Sequence, residues 1–364
     1  MRFVVAMDSF KGSISSLEAG EAVKRGILAA CPDATVTVLP LADGGEGTLD
    51  CIAPFIRGEE ITLTVKGPLG EPVSASYIYD SADKVAYIEM ARASGLTLVD
   101  PKHLDAVHAS SYGTGELILD AIHRGARSVT VFIGGSATSD GGAGMLQAMG
   151  ARFLDKNGEE IGPRSAALAD LVSADLSSLA GRDVSFTVAS DVTNPLCGTD
   201  GCAFVYGPQK GASFVDCKYI EENLYNYSRV LGYDPFEKGT GAAGGMSFAL
   251  KNVLGAEVKS GADIVTTVTG TAREISLCNI VITGEGCMDG QTVRGKAPMQ
   301  ILKLGLKYDK PVIGICGKTG DDYAFCLAAG FSKIYPLIHP VMEHDAAIQS
   351  VEETTAEVMR KIIE

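Results

Sequence analysis

Acidic side chains follow five predicted strands of the sequence, where each strand runs into a loop rich in small residues. In chain order these loops supply Asp8, Ser9 and Lys11; Asp43 and Glu46; Gly134, Gly135, Ser136, Thr138 and Asp140; Asp191, Thr193 and Asn194; and Glu285, Asp289, Arg294 and Lys296. Ligands of open parallel sheets bind beyond the carboxyl ends of the strands. The repeated pattern therefore predicts one site built from several strand ends.

The most glycine-rich of these loops lies within residues 129–146, VTVFIGGSATSDGGAGML. A β-branched apolar run passes there directly into glycines, hydroxyls and one aspartate, and a helix-like stretch follows. Backbone N–H groups at helix N-termini bind phosphate, and glycine lets an anion approach them with no Cβ in the way. Nearby carboxylates suit Mg²⁺, and lysines add compact positive charge for phosphate oxygens. The combination predicts phosphoryl-transfer chemistry.

Two shorter motifs resemble nucleotide-binding loops but fail on their context. GICGKTG at residues 314–320 would need a glycine at position 312 to be a Walker A loop, and that position is valine. GTGAAG at residues 239–244 matches GxGxxG, yet it follows DPFEK rather than a strand. Tight packing or a backbone hinge is the better interpretation of this second motif.

Other features keep two interpretations each. Lys210, in GPQKGAS, is either an exposed turn lysine or a contact to phosphate or carboxylate. SYGTGEL at residues 111–117 either caps a helix or places Thr114 against a substrate. The histidines show no metal-binding spacing, and we interpret them as structural or surface residues; they are His103, His108, His123, His339 and His344.

The elements that must position these residues alternate at both ends of the sequence. A strand at 3–7, a helix from a capping box of Ser15 and Glu18 to about Pro32, and a strand at 35–41 form one β-α-β unit. From residue 279 onward, strands and helices alternate again. The two ends together predict one doubly wound parallel sheet.

The middle of the sequence interrupts this alternation. Residues 60–98 are typical of short antiparallel strands, with turns at GPLGE and DSADK. The pattern then predicts a helix at 114–125, strands at 128–133 and 185–189, and a helix at 218–231. This organisation predicts an α/β domain with a mixed sheet, inserted between the halves of the first domain.

Composition excludes several classes of protein. A chain of 364 residues with 46% hydrophobic and 21% charged residues suits two globular domains. The net charge of −14 argues against partners such as nucleic acid or an anionic membrane. The nine cysteines form no CxxC pair, which indicates reduced thiols, and no apolar run is long enough for a signal peptide or a membrane span. We therefore expect a cytoplasmic protein.

Longer motifs carry a specific resemblance. They are MDSFKGSISSLEA, PLADGGEGT, SYGTGELI, GGSATSDGGAGMLQAMG, SDVTNPLCG, YGPQKGAS, GAAGGM and TGEGCMDGQTVRGKAP. In this order they closely resemble the type 1 bacterial glycerate kinase family. With the C-terminal alternation, the resemblance covers essentially the whole chain.

The resemblance implies MgATP-dependent phosphorylation of D-glycerate, with ATP and Mg²⁺ as cofactors. Because such a kinase must exclude water to avoid hydrolysing ATP, we expect a cleft between the two domains to close on the substrate. The resemblance also implies a flavodoxin-like domain formed by both termini, at residues 1–62 plus 273–364, and an inserted α/β domain at residues 63–272. Family members of this type usually make 2-phosphoglycerate, although enzymes that make the 3-phosphate are similar. A homo-oligomer is left open.

Candidate roles follow as hypotheses. Asp191 is the first choice for the base that accepts the proton of the attacking hydroxyl, and Asp8 is the second, with Lys11 beside it. The substrate-binding candidates are Lys210, Arg294, Lys296 and Asn194. The nucleotide-phosphate candidates are Gly134, Gly135, Ser136, Thr138, Asp140, Gly141 and Gly142. The metal candidates are Asp43, Glu46, Glu285 and Asp289.

Two rival functions have their own signatures. An NAD-dependent hydroxyacid dehydrogenase, suggested by GTGAAG, would bind nicotinamide. A non-catalytic binder of small acids would need no Mg²⁺ site and would commonly be exported. The acids at the strand ends and the absence of a signal peptide count against this second rival.

Overall fold

The computed structural model describes residues 1–10, 12–339 and 343–363. The strands are β1 Arg2–Met7, β2 Thr35–Val38, β3 Glu59–Lys66, β4 Pro72–Asp80, β5 Val85–Glu89, β6 Ser128–Phe132, β7 Arg152–Leu154, β8 Ser173–Asp175, β9 Ser185–Ala189, β10 Glu257–Lys259, β11 Ile280–Gly284, β12 Cys287–Met288, β13 Val312–Cys316, β14 Lys318–Thr319 and β15 Lys333–Pro336. The helices are α1 Ser16–Ala30, α2 Thr48–Ile52, α3 Ala91–Ser94, α4 Tyr112–His123, α5 Ala143–Ala148, α6 Cys202–Tyr206, α7 Phe214–Leu231, α8 Ala242–Phe248, α9 Gly261–Val268, α10 Thr271–Leu277, α11 Ala297–Lys307, α12 Ala324–Ala329 and α13 His344–Ile363.

The chain folds into two compact units. Unit 1 comprises Met1–Asp43, Asp50–Phe55 and Ala262–Glu364, and unit 2 comprises Gly44–Leu49 and Ile56–Gly261. The predicted division into a domain at residues 1–62 plus 273–364 and an inserted domain at residues 63–272 stays a prediction.

Unit 1 contains the parallel sheet predicted from the two ends of the sequence. Its strand order in the described residues is β2-β1-β11-β13-β15, and every pairing is parallel. With the strands renumbered within the unit this is the order 2-1-3-4-5 of flavodoxin-like sheets, so the predicted fold class is confirmed. The order reverses between β1 and β11, and that point is where such sheets bind ligands.

Helices cover both faces of this sheet, and successive side chains of β1 point to opposite faces. Phe3, Val5 and Met7 pack into a core with α1 and α13, whereas Val4 and Ala6 pack into a second core with α10 and α11. Helix α1 starts at the predicted capping box, where the Ser15 side chain accepts a hydrogen bond from the Glu18 N–H. The doubly wound arrangement follows from this pattern of alternation and capping.

Unit 2 contains the mixed sheet. Its order is β10-β9-β6-β5-β4-β3; β3, β4 and β5 pair antiparallel, and β5, β6, β9 and β10 pair parallel. The antiparallel pattern predicted for residues 60–98 is confirmed as far as Glu89, whereas Ala91–Ser94 and Leu96–Leu98 are short helices. The small pair β7 and β8 and the edge strand β10 were not predicted, because three residues carry too little periodicity.

Helix α7 begins earlier than the predicted residue 218. Ser213 caps it with Asp216 as the reciprocal partner, so the helix starts at Phe214. The predicted start used the apolar pattern and overlooked this cap. The nine cysteines are free thiols, as predicted. In the described ranges, the helices do not combine the length and apolar character that crossing a membrane requires.

Candidate functional site

The strand ends of unit 1 open into a cavity of about 660 Å³. β1 and β11 end side by side, since Met7 pairs with Gly284 and the Asp8 N–H donates to the Gly284 carbonyl at 2.8 Å. Asp8, Asp43 and Glu285 therefore line one cavity, as the sequence pattern predicts for three of its five loops.

Glu285 is the buried member of this group, with 6% of its surface exposed. One carboxylate oxygen accepts a hydrogen bond from the Thr292 hydroxyl at 2.7 Å, and the other accepts one from the Lys296 ammonium at 3.0 Å. The hydrogen bond and charge of Glu285 raise the pKa of Lys296 against the lowering effect of its own burial. Glu285 thus holds Lys296, which also lines the cavity, in its charged form.

The other predicted residues of this loop lie farther from the cavity wall. The Asp289 carboxylate accepts a hydrogen bond from the Gln291 N–H at 2.8 Å and stands 4.0 Å from the Lys296 ammonium. Arg294 is exposed at the end of a 3₁₀ turn, Thr292–Arg294. Lys11, a catalytic candidate, lies outside the described residues.

In unit 2, the glycine-rich loop after β6 lies against residues 44–46, which belong to the same unit. The Gly134 N–H donates to the Gly44 carbonyl at 3.3 Å, and a Cβ on Gly134 would stand 2.5 Å from the Gly45 Cα. A Cβ on Gly135 would stand 3.9 Å from a carboxylate oxygen of Glu46. Gly134 must therefore be glycine for the two loops to meet, and Glu46 is held beside the loop.

Asp140 occupies the N-terminus of the short helix α5. Its buried carboxylate accepts hydrogen bonds from Ser111 N–H and hydroxyl, both at 2.8 Å, and from the N–H groups of Gly142 and Gly144 at 3.1 and 3.2 Å. Burial raises the pKa of Asp140, and these four hydrogen bonds oppose the rise. The Gly141 N–H donates to the Gly244 carbonyl at 3.0 Å. These N–H groups already have acceptors, as the Gly134 N–H does, so Gly135, Ser136 and Thr138 are the better placed of the phosphate-binding candidates.

Lys210 is buried and only 2% exposed, in a turn at Pro208–Lys210. Its ammonium donates to the Ser136 hydroxyl oxygen at 2.9 Å and to the Thr138 carbonyl at 2.5 Å. An ammonium cannot accept a hydrogen bond, so the contact with Lys210 does not use the Ser136 hydroxyl hydrogen. Burial lowers the pKa of Lys210 to about 8, while Cys202 and Asp140 oppose the shift. The sequence suggested either an exposed turn lysine or a ligand contact for Lys210. Neither interpretation includes its hydrogen bonds to Ser136 and Thr138.

The GTGAAGG segment packs on the other side of the same loop. Ala243, Gly244 and Gly245 all have positive φ, and a Cβ on Gly244 would stand 2.0 Å from the Thr138 carbonyl oxygen. The predicted tight packing is confirmed. The hydroxyls of Thr138 and Ser139 are buried without a hydrogen-bond partner in the described part of the chain.

Asp191 and Asn194 follow β9. Asp191 is exposed, and its carboxylate accepts a hydrogen bond from the Gly261 N–H at 3.3 Å. The amide of Asn194 is held at both ends: it donates to the Asp200 carbonyl and accepts from the Tyr206 hydroxyl, each at 2.8 Å. These contacts leave Asp191 at the surface of unit 2 and fix the shape of the loop around it.

No cluster of three or more His, Cys, Asp or Glu side chains suited to a metal ion occurs among residues 1–10, 12–339 and 343–363. Mg²⁺ in kinases typically takes one or two protein carboxylates and completes its shell with phosphates and water. The oxygen donors Asp8, Asp43 and Glu285 along one cavity fit that requirement. The cavity also brings in Phe10, Ser13 and Leu337, which the sequence interpretation missed because none of them is an acid or a base.

Comparisons with known proteins agree along the whole chain. The model of the glycerate kinase family matches residues 3–364. A protein of Escherichia coli named glycerate 2-kinase is 43% identical over 369 residues, which cover 100% of this chain and 97% of that protein. A glycerate kinase of Bacillus subtilis is 41% identical with the same coverage. The crystal structure of a candidate glycerate kinase 2 from Salmonella typhimurium LT2 superposes with a TM-score of 0.86 at 39% identity, covering 100% of this chain and 97% of that one. The chain therefore belongs to the glycerate kinase family and is a kinase.

Proposed function

We propose that this kinase transfers the γ-phosphoryl group of ATP, with Mg²⁺, to the 2-hydroxyl of D-glycerate. The observation that carries the choice of hydroxyl is the 43% identity, over the full chain, to a protein named glycerate 2-kinase. The carboxylates and the Lys296 ammonium around the unit 1 cavity supply the charges that phosphoryl transfer uses.

Each strand-end group has a chemical task in this proposal. Asp191 accepts the proton of the attacking hydroxyl. This role requires a carboxylate that the substrate can reach, and Asp191 is exposed at the end of a strand. Asp43 and Glu285, with Glu46 and Asp289 as further candidates, would hold Mg²⁺, which when bound would neutralise charge on the phosphates. Ser136 donates its hydroxyl hydrogen to an anionic oxygen of a substrate, and Lys210 holds Ser136 in place.

A product assay tests the function. D-glycerate, ATP and Mg²⁺ are incubated with the protein and with enolase, in the absence of phosphoglycerate mutase. Immediate formation of phosphoenolpyruvate is expected, because enolase accepts the 2-phosphate directly. Phosphoenolpyruvate that appears only after mutase is added would move the phosphate to the 3-hydroxyl, and the absence of glycerate-dependent ADP would refute the proposal.

A further inference from the structure

The unit 1 cavity is larger than a three-carbon acid requires. Its volume of about 660 Å³ falls within the ~300–1,000 Å³ of sites that enclose drug-sized ligands. It also lies at the β1–β11 switch point of the parallel sheet, where flavodoxin-like sheets bind nucleotides. Size and position both indicate a ligand larger than glycerate.

The wall of the cavity combines three kinds of surface. Phe10 and Leu337 are apolar and can pack against a planar base. Lys296 and Lys318 are cations, Lys296 oriented by Glu285 and Lys318 exposed just after β13. The Ser13 hydroxyl is buried and has no hydrogen-bond partner among the described residues, so it can serve a ligand atom.

We propose that this cavity binds the nucleoside and adjoining phosphates of the nucleotide substrate, with the base against Phe10 and Leu337 and the phosphates near Lys296 and Lys318. This inference rests on the proposed kinase reaction. The phosphate-binding prediction for the loop after β6 stays separate from it, since that loop belongs to unit 2. The cavity accounts for the nucleoside, which the sequence motifs assign to no residue.

Gly286 offers a way to fill the cavity. Its φ is not positive, and the nearest atom to a Cβ placed there is the Phe10 Cα at 3.8 Å, an ordinary contact. Gly286→Leu therefore adds side-chain atoms at the cavity wall, and Gly286→Ala, which adds a single carbon there, should have a smaller effect. Lys318→Gln removes one cavity charge from an exposed position, and Lys333→Gln, an exposed residue at the start of β15, is its control.

Binding of MgADP is measured by calorimetry, and the KM values for ATP and D-glycerate by steady-state kinetics. Lys318→Gln should raise the MgADP Kd and the ATP KM about tenfold, as expected for a lost contact to a charged ligand, with the glycerate KM unchanged. Gly286→Leu should raise the same two values by at least as much, because its side chain takes up cavity volume. The Lys333→Gln control should match the wild type, and Gly286→Ala should lie between the wild type and Gly286→Leu.

Three outcomes are decisive. If both variants bind MgADP as the wild type does, and the wild type still phosphorylates glycerate, the inference is wrong and the function stands. If instead the glycerate KM rises alone, the cavity belongs to the acid and the inference is again wrong. If the wild type shows no glycerate-dependent turnover but the variants lose MgADP binding, the nucleotide site is supported and the proposed substrate fails. Circular dichroism checks folding, and the exposed Lys318 variant decides if Gly286→Leu does not fold.

Discussion

The burial of Lys210 makes the free energy of unfolding depend on pH. Its pKa falls from 10.5 to about 8 because the charged ammonium loses water in the interior of unit 2. One pKa unit corresponds to about 1.4 kcal/mol, so the charge on Lys210 destabilises the folded protein by about 3 kcal/mol at pH 7. Replacement by methionine keeps the length of the side chain and removes the charge.

The sign follows from the direction of the shift. Between about pH 8 and pH 10.5 the unfolded chain still binds a proton at Lys210 that the folded chain has released, so stability rises with pH in this window. Below pH 8 both states are protonated and the full cost is present. Relative to the Lys210→Met variant, the wild type should gain about 2–3 kcal/mol of unfolding free energy from pH 7 to pH 10.

The assay is urea unfolding of both proteins at several pH values between 7 and 10. Every other titrating group cancels in the difference between the two proteins at each pH. Lys156→Met, at an exposed position of the turn after β7, is the control and should show a nearly constant difference. If the difference in unfolding free energy between the wild type and Lys210→Met also stays constant with pH, Lys210 is not buried as a cation. The proposal that Lys210 holds Ser136 in place would then be wrong as well.

Two other predictions address the base and the loop packing. Asp191→Asn should lower kcat by about 10²- to 10⁴-fold with the melting temperature unchanged, and a near-normal kcat would remove Asp191 from the role of base. Gly244→Ala should destabilise unit 2 by more than ~2 kcal/mol, because its φ is +67° and its Cβ would stand 2.0 Å from the Thr138 carbonyl. Gly232→Ala, with φ +78° and no atom within 4 Å of its Cβ, is the matched control and should cost about 1 kcal/mol in an unfolding titration. If Gly244→Ala and Gly232→Ala lower the unfolding free energy equally, backbone strain alone explains the effect at Gly244, and the close approach to Thr138 contributes nothing.

Local signals predicted what local interactions determine. The Ser15 and Glu18 box marked the start of α1, and β-branched runs marked the strands whose ends meet around Asp8 and Glu285. The parallel order followed from alternation, because a β-α-β connection leaves few other arrangements.

The remaining features depend on contacts that the sequence does not encode locally. Lys210 is seventy-four positions from Ser136, and a turn sequence such as GPQKGAS carries no sign that its lysine will be buried. The carboxylate of Asp140 was expected to belong to a phosphate cradle, and its four internal hydrogen bonds come from residues brought together by α4 and α5. Such roles are decided by tertiary packing, which a motif does not contain.

Unit 1 is built from both ends of the chain, so its strands leave the ribosome at very different times during synthesis. β1 is an inner strand of its sheet, yet its neighbour β11 begins only at Ile280. At ~5–20 residues per second, β1 leaves the ribosome on the order of tens of seconds before that neighbour exists. Nearly all of unit 2 is contiguous and is complete earlier. A nascent chain therefore carries one finished unit and an apolar strand that can pair with β2 but not yet with β11, so the open edge of β1 is a surface that a chaperone could bind.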